Sequence, residues 1–219
     1  MEKERIGLLG GTFNPVHEGH LRAALEVQQK FTLHKILFIP SYIPPHKLTA
    51  EMASPEERYA MVELAVRAFP RFMASSIEIE AKEKSYSVIT LNKVKKTYRD
   101  AWVFFILGLD AFLEIETWRS YEKVLEQCHF IVTSRPGYPL AEARNVLPES
   151  YSDKIISLGE SESVGEGLIQ RFRIFLISIR ALDISSTEIR RRIRQRQSVK
   201  GFVPEAVEVY MKRKKLYQE

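Results

Sequence analysis

One cysteine in 219 residues, Cys128, excludes an internal disulfide and any zinc site built on thiolates. Its surroundings, "EQCHFIV", read as a buried element, so a small packed thiol is expected rather than a nucleophile. No stretch contains the roughly 18 uninterrupted apolar residues that a membrane span requires. The opening "MEKERIGLLGG" has charge but no apolar run of useful length, so no secretory signal is expected and the setting reads as cytoplasmic. Common nucleotide signatures are missing too. There is no GxxxxGK[ST], which excludes a P-loop, and no GxGxxG follows the first strand pattern; "VGEGLIQ" at 164–170 is only a fragment. No carboxylate cluster looks like a metal cage, so no metal held by the protein itself is expected.

What is present is ordinary in bulk and uneven in detail. Hydrophobic content of 45% and charged content of 28% suit a globular chain long enough for one substantial core or two small ones. A net charge of +5 and a pI near 9.2 favour anionic partners, nucleotides as well as nucleic acids. The positive charge gathers late, in "STEIRRRIRQRQ" and "MKRKKLYQE". Solvated helix faces are the default reading of such runs.

Short apolar or β-branched runs recur: "IGLLG", "KILFIP", "MASSIEIE", "AWVFFILG", "HFIVTS", "KIISLG" and "RIFLISI". Helical patterns separate most of them. "SPEERYAMVELAVRAF" opens with a capping box, Ser54 and Glu57, and has Pro55 at the first helical position. Near-continuous apolar strands alternating with helices predict a doubly wound α/β fold with a mostly parallel sheet. Residues 136–164 read as loops around short elements, and two final helical patterns form a helical C-terminal extension. Residues 1–219 read as a single domain.

The stretch "LLGGTFNPVHEGHLRAA" carries the strongest chemical signal. Residues 6–9 read as the first strand, and a helix begins near His17. Gly10 and Gly11 suit a sharp turn and the close approach of a ligand to the backbone. A helix N-terminus there offers N–H groups and a positive dipole end to phosphate. His17 and His20 share one face of the first turn, and Gly19 keeps the space between them clear. Two imidazole donors beside a phosphate-sized hole suit charge stabilisation at a reacting phosphorus. A zinc reading lacks the HExxH spacing and a third ligand.

A second phosphate device is "ISSTEIR". Ser185 and Glu188 form a capping-box pattern, which leaves Ser186, Thr187 and Arg190 for another task. Arg190 lies four residues after Ser186, on the same face, where it can clamp an anion. In "GLDAFLEIETWRSYE", Gly108 ends a strong strand. Asp110 can accept from ribose hydroxyls, with N-capping of a helix as its rival role.

"GGTFNPVHEGHL" resembles the (H/T)xGH signature of the nucleotidyltransferase superfamily, and especially the nicotinate mononucleotide adenylyltransferases. The likeness continues in order through "IPSYIPPHK", "SPEERYAMVELA", "KSYSVITL", "ILGLDAFLEIETWRSYEKVL", "SRPGYP", "ISSTEIRRRI" and "VPEAVEVYMKRKKLY". It implies a Rossmann-like nucleotidyltransferase fold and one nucleotidyltransferase domain. Asn14 stands where the family more often has Asp, and Ser87 where it has Thr. The resemblance assigns His17, His20 and Arg190 to catalysis. It assigns Gly11, Thr12, Phe13, Gly108, Asp110, Ser185, Ser186 and Thr187, with those three, to ATP. The mononucleotide falls to His46 and Lys47 near its phosphate, Thr90 and Arg135 near its ring, and Trp118 as a platform for the cationic pyridine.

The implied reaction is adenylyl transfer from ATP to nicotinate mononucleotide, giving deamido-NAD and pyrophosphate in NAD biosynthesis. Mg²⁺ enters with ATP. Nicotinamide mononucleotide and phosphopantetheine adenylyltransferases are the rivals within the class. Trp118 and "SYSVITL" argue against the latter. Class I aminoacyl-tRNA synthetases share HxGH, but no KMSKS is present. A basic RNA-binding module would explain "RRRIRQR" and leave the histidines unused. The expected partners are ATP and the mononucleotide, without nucleic acid or membrane and with room for a homo-oligomer.

Overall fold

A computed structural model describes residues 3–45, 52–134, 137–159, 162–180 and 182–218. Seven strands form one sheet, ordered β3-β2-β1-β4-β5-β7-β6. They are β1 (Arg5–Gly11), β2 (Lys35–Pro40), β3 (Phe72–Ala74), β4 (Trp102–Gly108), β5 (His129–Thr133), β6 (Ile155–Leu158) and β7 (Ile174–Ile177). The pairings β1–β4, β4–β5, β5–β7 and β6–β7 are all parallel. The helices are α1 (Glu18–Lys30), α2 (Pro55–Val66), α3 (Ser87–Thr97), α4 (Leu109–Leu113), α5 (Tyr121–Gln127), α6 (Glu166–Ile169), α7 (Ser186–Arg194) and α8 (Glu205–Lys214). This is the doubly wound α/β architecture. Its strand order turns back between β1 and β4. No described helix is long and apolar enough to cross a membrane.

Each apolar run of the sequence lies on a strand, with one shortened. "MASSIEIE" keeps only β3, whose last ladder bond is Ser75 N–H to Phe38 C=O at 2.8 Å. Beyond it the chain coils on itself: Glu80 N–H bonds Ser76 C=O at 2.8 Å, and the Ser76 hydroxyl bonds the Glu80 carboxylate. Local side-chain bonds of this kind compete with a ladder. The Ser54–Glu57 capping box is present, with Pro55 opening α2.

Contacts divide the chain into two compact units. The first comprises Met1–Leu9, Ala23–Ile36 and Tyr86–Ala181. Its core is aromatic: Phe31 meets Phe104 and Phe175 with ring centres 5.8 and 5.1 Å apart, and Phe105 stacks on Phe130 at 5.6 Å. His129 belongs to this core, stacked on Phe104 at 4.9 Å. Burial, helped by the nearby Arg173 charge, lowers its pKa to about 4, so the ring is neutral. Cys128 is buried beside it, and burial pushes its thiol up. It is a packed thiol, as expected.

The second unit comprises Gly10–Arg22, Leu37–Ser85 and Leu182–Glu219. Phe38 joins Phe13 at 5.9 Å to Phe72 at 5.2 Å, and Phe69 stacks on Phe72 at 4.7 Å. The largest fully buried side chain here is not apolar. It is Arg58 of α2.

Candidate active site

Within the second unit, the carboxyl end of β1 runs into the loop that carries the histidines. The sharp turn expected at Gly10 and Gly11 is made two residues later: neither glycine has a positive φ, while Phe13 does, at 47°. Gly11 serves by being small, since a Cβ there would lie 3.2 Å from the Phe13 ring. Phe13 is buried and meets His20 edge-on at 5.0 Å. The Asn14–Pro15 peptide that follows is cis.

His17 and His20 come together in the way their spacing predicts. Their rings stack at 3.6 Å, with 26° between the planes. His17 is buried and His20 half-buried. His20 Nδ1 accepts from the His17 backbone N–H at 3.3 Å. In the neutral ring this leaves the proton on His20 Nε2, which makes that atom a donor. Gly19 completes the pair: a Cβ there would sit 3.0 Å from His17 Nδ1.

The start of α7 is bound to the same loop. Ser185 caps the helix by accepting from Glu188 N–H at 3.2 Å. The reciprocal half of the capping box is not made, because the Glu188 carboxylate turns to Arg191 and Arg192 at 2.7 and 2.8 Å. Those bonds hold its pKa down to about 2. Arg192 also lies over the Phe202 ring. Much of the arginine run is therefore engaged in its own helix. Ser186 donates to Pro15 C=O at 2.8 Å, and Arg190 Nη1 to Asn14 C=O at 2.9 Å. Arg190 Nη2 reaches Thr187 Oγ1 at 3.4 Å. The N-termini of α1 and α7 are thus fixed to one loop. Each presents a positive dipole end, although at α1 the N–H groups of His17 and Glu18 are bonded to His20 Nδ1 and to Phe202 C=O.

Three supporting residues were not legible as such in the sequence. Arg58, at 0% exposure, donates to three carbonyls: Thr12 at 2.8 Å, Tyr42 at 3.0 Å and Ala53 at 3.1 Å. Asn14, 6% exposed, accepts through Oδ1 from Ala53 N–H at 3.0 Å and from the Tyr217 hydroxyl at 2.7 Å. The arginine interrupting the apolar pattern of α2 was the available signal for Arg58. Nothing local marks Tyr217.

The first unit holds the other predicted positions. Gly108, half-buried, is the N-cap residue of α4, so Asp110 in the first turn is not the cap. Its side chain is half-buried there. Trp118 closes a 3₁₀ turn (Ile115–Thr117), its N–H on Ile115 C=O at 2.9 Å. It is half-buried and meets Phe105 edge-on at 5.7 Å. Thr90 is buried in α3, its hydroxyl 3.4 Å from Tyr86 C=O. The Tyr86 ring carries the Arg119 guanidinium at 4.9 Å, linking that helix to the segment after Trp118. His46, Lys47 and Arg135 lie outside the described residues.

Residues 8–192 match the cytidylyltransferase-like family. The chain is 42% identical over 216 residues to a Desulfatibacillum aliphaticivorans protein named "Probable nicotinate-nucleotide adenylyltransferase", covering 97% of this chain and 99% of that one. A Moorella thermoacetica protein of the same name is 40% identical, with 98% and 92% covered. Among solved structures, a Plasmodium falciparum nicotinic acid mononucleotide adenylyltransferase complexed with NaAD shares the fold. Its TM-score is 0.72 at 18% identity, with 98% of this chain and 97% of that one covered.

Proposed function

Since the chain belongs to the cytidylyltransferase-like family and, within it, to the nicotinate-nucleotide adenylyltransferases, we propose that it joins ATP to nicotinate mononucleotide through His17, His20 and Arg190. It is a nucleotidyltransferase of NAD biosynthesis. The observation that carries the residue assignment is the stacked histidine pair on a loop bound to the N-terminus of α7. Residues 1–219 act as one nucleotidyltransferase domain, a reading supported by relatives that match over nearly the whole chain. The setting is cytoplasmic.

The attacking group is the 5′-phosphate of the mononucleotide, already ionised at neutral pH, so no strong base is needed. One of its oxygens bonds to the α-phosphorus of ATP. The bond from that phosphorus to the bridging oxygen breaks, and pyrophosphate leaves with the electron pair. Negative charge on the α-phosphoryl oxygens is met by donors fixed in advance: the two imidazoles, the Arg190 guanidinium and backbone N–H groups near Gly11 and Thr12. Ser185, Ser186 and Thr187 offer backbone N–H groups to the ATP phosphates, with the hydroxyls of Ser185 and Thr187, that of Ser186 being donated to Pro15 C=O. Among the described residues no group of three or more His, Cys, Asp or Glu could hold a metal. Magnesium enters as part of the Mg–ATP substrate, where it would offset phosphate charge. Asp110 takes the ribose and Trp118 the pyridine ring, with Gly108 allowing close approach; Thr90, His46, Lys47 and Arg135 complete mononucleotide recognition.

The test is product identification by mass after incubation with Mg–ATP and each mononucleotide in turn. Deamido-NAD is expected, with kcat/KM for the nicotinate substrate at least about tenfold above that for nicotinamide, because an amide brings a donor to a site built of donors. Equal efficiencies would overturn the acid preference and leave adenylyl transfer standing. No dinucleotide from either substrate would overturn the whole assignment.

A further inference from the structure

The loop before the histidines is hung from side chains distant in sequence. Thr12 C=O takes Arg58, Asn14 C=O takes Arg190, and Pro15 C=O takes Ser186. A further tie is through the Asn14 side chain, whose single oxygen accepts both Ala53 N–H and the Tyr217 hydroxyl. Tyr217 lies three residues beyond the end of α8. A tail at such a place usually frays. This one is turned back by two residues in the left-handed region, Lys215 at φ 53° and Tyr217 at φ 62°. Leu216 N–H closes on Met211 C=O at 3.0 Å. For residues other than glycine that conformation is unfavourable, so neighbouring contacts must hold it. The tail bonds the loop through the Tyr217 hydroxyl, 2.7 Å from Asn14 Oδ1.

We propose that Tyr217 is a positioning residue for adenylyl transfer: its hydroxyl, donated to Asn14 Oδ1, fixes the peptide that presents His17 and His20. The inference rests on the adenylyl-transfer reading above. Asn14 is buried three residues before His17, and its own carbonyl receives Arg190. A shift of Asn14 therefore moves both the start of the histidine turn and the guanidinium that faces it. The Asn14 oxygen is a neutral acceptor with two donors. Losing the hydroxyl removes the 2.7 Å bond and loosens the hold on the Asn14 side chain, which keeps Ala53 N–H at 3.0 Å. Displacement of a few tenths of an ångström at a reacting centre is enough to slow the step without unfolding the loop.

The experiment is a double-mutant cycle in steady-state turnover with Mg–ATP and nicotinate mononucleotide, using Tyr217→Phe, Asn14→Ala and the double variant of the full chain. Melting temperatures are recorded for all four proteins, and each is assayed well below its own. Tyr217→Phe keeps the ring and removes one hydroxyl, so kcat is expected to fall about three- to tenfold with KM for the mononucleotide unchanged. In the Asn14→Ala background the same change is expected to cost no further kcat, because the hydroxyl has lost the group through which it acts. Unchanged kcat in Tyr217→Phe overturns the proposal. So does an equal fold-loss in both backgrounds, which marks a general structural role. Should Asn14→Ala fail to fold, Tyr217→Phe alone decides, through the split between kcat and melting temperature. A parent protein that makes no dinucleotide fails the earlier reading. A parent and a Tyr217→Phe variant that turn over alike fail this one alone.

Discussion

The loop over residues 12–20 is held by groups far away in the sequence, whereas the segment over 108–118 is held by its own turns. Arg58, Ser186, Arg190 and Tyr217 each donate to the first. In the second, Thr117 N–H and hydroxyl both return to Glu114 C=O, at 3.0 and 2.7 Å, and Trp118 N–H returns to Ile115 C=O. Long-range ties cost loop-closure entropy but leave few local motions, which suits groups that must stay fixed while charge develops on phosphorus. Short local turns fix a backbone with little loop-closure cost. Packing then anchors the second segment, whose Leu109, Phe112 and Ile115 side chains are fully buried.

The sharpest way to break that contrast is at His20. His20→Ala is expected to lower kcat by about 100- to 1000-fold, the scale for losing one donor to the transition state. Its ring is only half-buried, packed on His17 and Phe13, so the melting temperature should fall far less than kcat. His17→Ala removes a buried ring and should lower both. Near-normal turnover in His20→Ala, read by pyrophosphate release, would remove the residue from the mechanism.

His129 offers the opposite case, a histidine used for packing. Its pKa in the fold is about 4, against an ordinary value of 6.5. Above pH 6.5 the ring is neutral whether the chain is folded or not. Between 6.5 and 4 the unfolded chain takes up a proton that the fold refuses, so stability falls as the pH falls. The loss approaches roughly 3 kcal/mol by pH 4 and then levels off. His129→Phe should flatten that part of the profile, as measured by urea unfolding at pH 7 and pH 4.5. A parent-like slope in the variant would assign the acid sensitivity to another group.

These contrasts also explain what could be read in advance. The strands were legible because parallel strands covered on both faces are apolar throughout, and the histidine pair because two rings three apart on a helix must share a face. "MASSIEIE" misled because its alternation fits a strand, while Ser76 and Glu80 bond each other locally. The turn assigned to Gly10 and Gly11 falls on Phe13, whose left-handed backbone is held by its buried ring rather than by its residue type. Arg58 and Tyr217 act on one loop from separations of up to 203 residues. No local pattern encodes a partner at that distance.

Trp118 tests the locally held segment. If its face carries the pyridine ring, Trp118→Ala should weaken mononucleotide binding by roughly 1–3 kcal/mol, the range for base–aromatic stacking. ATP binding, followed in parallel by calorimetry, should change little. The half-buried indole meets Phe105 only by an edge, so the cost in folding should be modest. A loss of several kcal/mol in stability with mononucleotide affinity intact would make the tryptophan a core residue instead.

Gly19 gives the smallest effect and separates positioning from folding in one substitution. It lies in the first turn of α1, where alanine is the better helix former by up to about 1 kcal/mol. Stability alone therefore favours Gly19→Ala. The new Cβ would lie 3.0 Å from His17 Nδ1 and 3.1 Å from Cε1, tighter than ordinary contact. Relief requires the His17 ring to move by a few tenths of an ångström, and it is stacked 3.6 Å from His20. The pair would shift together while the pinned loop beneath them stays in place. Turnover should fall several-fold, about 1 kcal/mol in barrier, while the melting temperature holds or rises. Parallel losses in both would show that the glycine serves the fold. Full activity with higher stability would show that the spacing of the two imidazoles is not critical to the transfer.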